Sequence, residues 1–153
     1  MLSDILNYLA ISDTIGTAGQ PTADQFTAIQ AAGYEVVVNL ATPTSTNALP
    51  DERETVTGLS MDYGHIPVVW DAPTRQDLEA FFETMDRYRD KKVFVHCAMN
   101  MRVSAFMFLY RVICQREKPE VAREPMLKIW QPSENAVWQH FIDDALVRHT
   151  ADT

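Results

Sequence analysis

The chain has 153 residues, of which 46% are hydrophobic and 22% charged, an ordinary globular composition. This length is typical of one domain, so we expect a single domain over residues 1–153. The formal net charge of −8 argues against nucleic acid or an acidic membrane surface as a partner. The N-terminus lacks a signal-peptide pattern, and no apolar run reaches the roughly 20 residues that span a bilayer. We therefore expect a cytoplasmic protein.

The first half of the chain alternates predicted helices and strands. We expect a short helix at residues 2–9, an edge strand at 14–18, a helix at 22–31, a buried strand at 34–40 and a short helix at 51–58. Thr22 and Gln25 form a capping-box pattern at the start of the second of these helices. Gly33 is a fitting left-handed stop after it. The unbroken apolar run in residues 34–40 is typical of a parallel sheet that is buried on both faces.

The second half continues the alternation. We expect a strand at 61–69 that is interrupted at Pro67, an amphipathic helix capped by Thr74 and Asp77, a strand from Val93 and an apolar helix to about Arg116. Pro119 and Pro125 predict a broken segment, Ser133 predicts the cap of a last helix to about Arg148, and Cys114 is expected in the core. Together these elements predict an α/β fold with an open, mostly parallel sheet flanked by helices on both faces.

A strand-to-helix junction carries most of the polar chemistry. The sequence VFVHCAMNMRVSAF runs from Val93 to Phe106 and places Cys97 between a buried strand and an apolar helix. The unpaired N–H groups and the positive dipole end of that helix favour a thiolate, which is the nucleophilic form of cysteine. The same N–H groups form an anion site, and Arg102 adds two-pronged contacts to phosphate oxygens. These features predict a catalytic loop, against the plainer interpretation of a buried core cysteine.

Three further segments join this loop in a recognisable order. They are TAGQPTADQF at 17–26, VVVNL at 36–40 and HIPVVWDAPT at 65–74. With these segments the chain resembles bacterial proteins related to dual-specificity and tyrosine phosphatases. The resemblance implies a phosphorylated substrate, a phosphocysteine mechanism and an aspartate general acid on an earlier loop. We expect no cofactor, because the sequence has no Gly-rich nucleotide loop and the four histidines show no metal-ligand spacing.

The resemblance also implies roles for individual residues. Cys97 is the expected nucleophile, Arg102 the phosphate clamp, His96 the residue that holds the loop and favours the thiolate, Ser104 the aid to thiolate departure and Asp71 the general acid. The remaining loop residues, Ala98, Met99, Asn100, Met101 and Val103, are expected to bind the substrate phosphate. Asp71 has the alternative interpretation of a simple turn or cap residue, with Asp62 as the reserve acid. His65 is expected to be a structural histidine.

The loop departs from the phosphatase pattern in its spacing. Four residues separate Cys97 from Arg102, where the pattern has five, and Asn100 replaces the usual mid-loop glycine. Asn is the residue that best replaces glycine in a left-handed conformation. A four-residue gap is also the pattern of rhodanese-like sulfurtransferases, so a Cys97 persulfide is an alternative function. A catalytically inactive module that binds phosphate or a phosphoprotein is the other.

Overall fold

The computed structural model describes residues 1–151 and contains five strands in that range. They are β1 (Leu9–Ala10), β2 (Ile15–Ala18), β3 (Val36–Asn39), β4 (Asp62–His65) and β5 (Val93–His96). Their order in the sheet is β1-β2-β5-β3-β4, and all neighbours are parallel except β1 and β2. The predicted α/β fold with a mostly parallel sheet is confirmed. The last two residues of the predicted domain lie outside the described range.

The register of the sheet brings three strand ends level around β5. Ala18 of β2 and Asn39 of β3 both pair with His96, the last residue of β5. The carboxyl ends of parallel neighbours meet at one edge of a sheet, and ligands of open α/β sheets bind outside that edge. Cys97 therefore leaves the sheet at the centre of this edge, beside the segments that follow β2 and β3.

Six helices within residues 1–151 cover the two faces of the sheet. They are α1 (Ala23–Ala31), α2 (Glu52–Gly58), α3 (Arg75–Arg87), α4 (Met101–Ile113), α5 (Pro119–Ile129) and α6 (Ala136–Ala151), with 3-10 turns at Leu2–Asp4 and Pro132–Glu134. Side chains alternate across the strands, so Val37 packs towards α1 and α2 while Val36 and Val38 pack towards α3 to α6. None of the helices in residues 1–151 is long and apolar enough to cross a membrane.

Several local predictions are confirmed. Thr22 and Gln25 form the capping box of α1, and Thr74 and Asp77 form that of α3. Gly33 follows α1 with a φ of +95°, the left-handed conformation that glycine adopts without steric cost. Val36 to Val38 are fully buried, as the unbroken apolar pattern of β3 requires.

Two predictions near the N-terminus are wrong. Residues 2–9 do not form one helix, because a 3-10 turn at Leu2–Asp4 is followed by Asn7 with a positive φ of 51° and then by β1. The strand β2 is not at the edge of the sheet, because β1 covers it and becomes the edge strand. A two-residue strand gives too short a pattern to be found from the sequence.

Three predictions near the C-terminus are also wrong. Residues 119–129 form the continuous helix α5, with Pro119 at its start, where a missing N–H costs nothing. Pro125 is tolerated inside it because Ala122 and Met126 on the same face are buried in the core. Asn135, not Ser133, caps α6 through a 3.1 Å bond from Trp138 N to its side-chain oxygen. Cys114, at the end of α4, is exposed and not in the core.

Candidate active site

The loop between β5 and α4 is a tight turn around a buried thiol. Cys97 directly follows β5 and is only 1% exposed. Asn100 precedes α4 with φ 67° and ψ 4°, the left-handed conformation that the sequence predicts for it. Its side chain makes no cap bond to the helix; Nδ2 donates to Asn7 O at 2.9 Å and to Thr17 Oγ1 at 3.2 Å. Asn100 therefore anchors the turn from outside.

All carbonyl groups from Cys97 to Met101 already have a hydrogen-bond donor. The donors are His96 Nδ1 for Cys97 O at 3.1 Å, Gln20 N and Asn47 Nδ2 for Ala98 O at 3.0 and 3.1 Å, Asn7 Nδ2 for Met99 O at 2.9 Å, Ser104 N for Asn100 O at 2.9 Å and Ser104 Oγ for Met101 O at 2.9 Å. These donors come from five separate segments of the chain. They fix the loop by its oxygen atoms.

The backbone N–H groups of the same loop differ from its carbonyl groups in their hydrogen bonding. From Ala98 to Val103, no backbone N–H has an acceptor anywhere in residues 1–151. The last three of these belong to the first turn of α4, whose dipole is positive at this end. Six consecutive donors without acceptors next to Cys97 are the kind of backbone arrangement that can hold an anion.

Arg102 connects this loop to the segment after β4. Its side chain is 7% exposed and its Nη1 donates to Val68 O at 2.8 Å. A guanidinium has five N–H donors, and within the described range Arg102 uses no other acceptor. The other Arg102 donors have no acceptor among the described residues.

Asp71 lies on a turn that is held by its backbone. Trp138 Nε1 donates to Trp70 O at 2.8 Å, and the Trp70 ring packs against Trp130 and Trp138 with centroid distances of 5.3 and 5.5 Å. With the Arg102 bond to Val68 O, these contacts hold the backbone of the turn on which the exposed Asp71 side chain lies.

Asp62 and His65 lie at the two ends of β4. Asp62 pairs with Val36 at the first position of β3, so it lies at the amino edge of the sheet, opposite the edge that carries Cys97. This position removes Asp62 as the reserve acid. His65 Nε2 bonds to Ala41 O at 2.7 Å, which is the structural contact expected for it.

The Ser104 hydroxyl is not bonded in the way that its expected role in thiolate departure requires. Its hydroxyl donates to Met101 O and accepts the indole N–H of Trp130, each at 2.9 Å. It makes no hydrogen bond to Cys97 within residues 1–151. Val103, with its side chain fully buried, offers the anion site only its N–H, whereas Met99 is 42% exposed at the rim.

Glu52 belongs to the site and was not predicted. Its carboxylate is 4% exposed and accepts from His96 Nε2 at 2.7 Å, Gln20 Nε2 at 2.7 Å and Tyr63 OH at 2.8 Å. Burial alone raises the pKa of this carboxyl, but the hydrogen bond and charge of His96, with the hydrogen bonds of Gln20 and Tyr63, outweigh it and hold the pKa below its ordinary value. In the sequence, Glu52 looks like any acidic residue in the first turn of a helix.

Comparison with known proteins gives the family of the chain. A model of the family described as PTP-NADK, DSP-PTPase phosphatase fused to NAD+ kinase, matches residues 12–142. The chain belongs to this family. In fold and sequence it is thus a member of the dual-specificity and tyrosine phosphatase superfamily, as the resemblance implied.

Individual relatives of this phosphatase family member differ in how much they share with it. A beta-lactamase hydrolase-like protein of Agrobacterium fabrum is 30% identical over 95 residues, which are 60% of this chain and 22% of that protein. The chain thus matches about a fifth of that relative's length. A proposed phosphatase (DUF442) of Shewanella putrefaciens CN-32 is 34% identical, with a TM-score of 0.89 over 96% of this chain and 93% of that one.

A more distant structure has the same fold. It is TpbA of P. aeruginosa in complex with phosphotyrosine, which is 16% identical, with a TM-score of 0.72 over 95% of this chain and 91% of that one. At this identity the likeness concerns the fold alone.

Proposed function

We propose that the chain is a cysteine-dependent phosphatase that hydrolyses a phosphomonoester through a phosphocysteine intermediate on Cys97. The observation that carries the proposal is the loop itself, in which every carbonyl is bonded outward and six consecutive N–H groups next to the thiol have no acceptor. Such a set of fixed donors matches the three non-bridging oxygens of a phosphoryl group and the charge that they carry in the transition state.

In the first step, the Cys97 thiolate attacks phosphorus and the bond from phosphorus to the ester oxygen breaks. The N–H groups of residues 98–103 and the guanidinium of Arg102 hold the phosphoryl oxygens. Asp71 gives its proton to the leaving oxygen, so the product leaves as a neutral alcohol or phenol. The exposed position of Asp71 on the turn after β4 suits a group that must reach a leaving group on the solvent side.

In the second step, water attacks phosphorus and the sulfur–phosphorus bond breaks. The Asp71 carboxylate takes one proton from the water, which returns the acid to its starting state and releases inorganic phosphate. The thiolate leaves without help from Ser104, whose hydroxyl proton is used on Met101 O. His96 and the helix dipole stabilise the thiolate at this point.

The part of the substrate beyond the phosphate contacts two loops. On one side, the loop at residues 41–50 contacts the Cys97 loop through the Asn47 bond to Ala98 O. On the other side, the segment that leads into the turn at 69–74 is bonded to Arg102 through Val68 O. A cavity of about 410 Å³ lies behind the first loop, lined by Asn39, Tyr63 and His65 among others. We propose a phosphorylated protein side chain or small molecule as the substrate, in line with the phosphotyrosine bound to TpbA.

The test is turnover of p-nitrophenyl phosphate and of a phosphotyrosine peptide, with capture of the intermediate. The expected results are phosphate release that vanadate inhibits, loss of all turnover in Cys97→Ser, and mass-spectrometric detection of phosphate on the Cys97 peptide after acid quench. Cys114→Ser is the matched control and should retain full activity, because Cys114 lies at the far end of α4.

Other outcomes contradict the proposal and separate the alternatives. Transfer of sulfur from thiosulfate without sensitivity to vanadate would identify a sulfurtransferase. Saturable binding of phosphate with no turnover of any phosphomonoester would identify a binding module.

A further inference from the structure

The side chain of His96 lies between Glu52 and the Cys97 loop. Its ring is fully buried, with Nδ1 3.1 Å from Cys97 O and Nε2 2.7 Å from Glu52 Oε2. A carbonyl oxygen only accepts hydrogen bonds, so Nδ1 carries a proton. The charge on His96 therefore depends on whether Nε2 or the Glu52 carboxyl holds the second proton.

Two other donors on Glu52 bear on this question. Gln20 Nε2 donates to Oε1, and Tyr63 OH donates to Oε2. Tyr63 gives its own proton to Glu52 because its oxygen already accepts from Asn39 Nδ2 at 3.0 Å. Burial and then the charge of Glu52 raise the pKa of Tyr63, so this phenol remains a donor. Hydrogen bonds to the charged form of a carboxyl favour that form.

These hydrogen bonds favour the ionised form of the Glu52 carboxyl, and a carboxylate 2.7 Å from Nε2 in turn favours a proton on that nitrogen. The other groups around the pair do not compensate either charge. Phe26 of α1 contacts the His96 ring edge-on at 5.9 Å, and the Asn39 side chain of β3 bonds to Tyr63 and Ala41. Arg53 of α2 lies over the Tyr63 ring at 5.0 Å, and Arg102 of α4 donates to Val68 O.

We propose that Glu52 is a positioning residue for the reaction at Cys97: its buried carboxylate holds His96 as an imidazolium, whose positive charge stabilises the adjacent thiolate. The inference rests on the proposed function and adds a residue to it. The His96 ring bonds to the Cys97 backbone oxygen on one side and to Glu52 on the other, so its charge lies nearer to the Cys97 backbone than that of Glu52 does. In a dry interior such a charge acts more strongly than it does in water.

The test is the pH titration of Cys97, read from the ultraviolet absorbance of the thiolate. The background is Cys114→Ser, which leaves one thiol, and the same chain with Cys97→Ser is subtracted. Glu52→Gln is compared with Glu54→Gln, which removes the same charge from an exposed position on the same helix. An amide at position 52 still accepts from His96 Nε2, so a purely structural role predicts no change.

We expect Glu52→Gln to move the titration midpoint up by about one unit, which is tenfold less thiolate at any pH well below it. Glu54→Gln should match the background protein. Tyr63→Phe removes one donor from Glu52 and should give a smaller shift in the same direction. If Glu52→Gln does not fold, the titration midpoint of Tyr63→Phe tests the inference in its place.

Equal midpoints in the background protein and in Glu52→Gln, or in Tyr63→Phe when only that variant folds, would overturn the inference and leave the phosphatase proposal intact. A shift of equal size in Glu54→Gln would also overturn it, since bulk charge would then explain the effect. If the background protein itself titrates near the free cysteine value of about 8.5, the phosphatase proposal fails first.

Discussion

The Cys97 loop and the Asp71 turn are built in different ways. The loop is fixed atom by atom, with a donor on each carbonyl from Cys97 to Met101. The turn is held at two backbone oxygens, those of Val68 and Trp70, and its acidic side chain is exposed. The part proposed to bind phosphate is therefore built before a substrate arrives, whereas the proposed acid is placed by its backbone and its side chain is exposed.

This difference follows from what each part must do. Donors to a transition state stabilise it most when they need no reorganisation, which favours a rigid loop. A general acid must release and regain a proton at solvent, which favours an exposed carboxyl. Arg102 belongs to both regions, because it starts in the loop and its guanidinium bonds to the turn.

The largest effect is expected from Arg102→Lys. Lysine keeps the charge but loses the fork of donors and the bond to Val68 O, so both regions are weakened. We expect kcat/KM for p-nitrophenyl phosphate to fall about 10³-fold, the upper range for removal of one transition-state donor. The control is Arg75→Lys, since Arg75 makes an exposed ion pair with Glu79. An unchanged kcat/KM in Arg102→Lys would show that the shortened loop does not use this arginine.

Asp71→Asn tests the turn alone. We expect kcat to fall about 10²-fold for a poor leaving group and less for p-nitrophenol, which departs without a proton. The decline of the rate at high pH, which a protonated acid imposes, should disappear in this variant. Asp62→Asn should behave as the unaltered protein because Asp62 lies at the opposite edge of the sheet. Loss of activity in both variants, or in neither, would contradict the role of Asp71.

Asn100 tests the loop alone. Alanine at this position loses the bonds to Asn7 and Thr17 and must adopt a φ of 67°, whereas glycine loses only the bonds. We expect the free energy of unfolding in urea to fall by about 2 kcal/mol for Asn100→Ala and about 1 kcal/mol for Asn100→Gly. If alanine proves no worse than glycine, the left-handed conformation is not a constraint in solution.

The smallest effect is expected from Glu52→Gln, on the free energy of unfolding at acidic pH. Its pKa is lower in the folded protein than its ordinary value of 4.5, so the unfolded chain binds more protons in acid. The stabilisation from this group is complete above pH 4.5 and is lost as the pH falls through the lowered folded pKa. The free energy of unfolding of Glu52→Gln should therefore fall less steeply in this window than that of Glu54→Gln. Equal slopes would argue that Glu52 is not ionised in the folded protein.

The parts of the site that sequence reasoning found are those that depend on local chemistry. The β-branched run of Val93 to Val95 predicts β5, and the apolar run after Arg102 predicts α4. Asn100 could be assigned a left-handed conformation because few residues adopt it and the turn requires one. The anion site follows from these three predictions, since a strand, a tight turn and a helix start leave N–H groups without acceptors.

The parts that it missed depend on contacts between distant segments. Glu52 lies 44 residues before His96, and only the register that levels the ends of β3 and β5 brings them together. The Ser104 hydroxyl accepts from Trp130, which directly follows α5. From the sequence alone, Pro119 and Pro125 predict a broken segment there. Neither relation leaves a pattern in the sequence near the residue concerned.

The crystal structure of the protein with orthovanadate tests the central claim most directly. The account predicts vanadium bonded to Cys97 Sγ, with its oxygens about 2.7–3.2 Å from the backbone nitrogens of residues 98–103 and from the Arg102 guanidinium. The carbonyl contacts of the loop should be unchanged, because they already point away from the anion. Vanadate bound elsewhere, or a thiol left unmodified in a loop that must rearrange to admit it, would contradict the account.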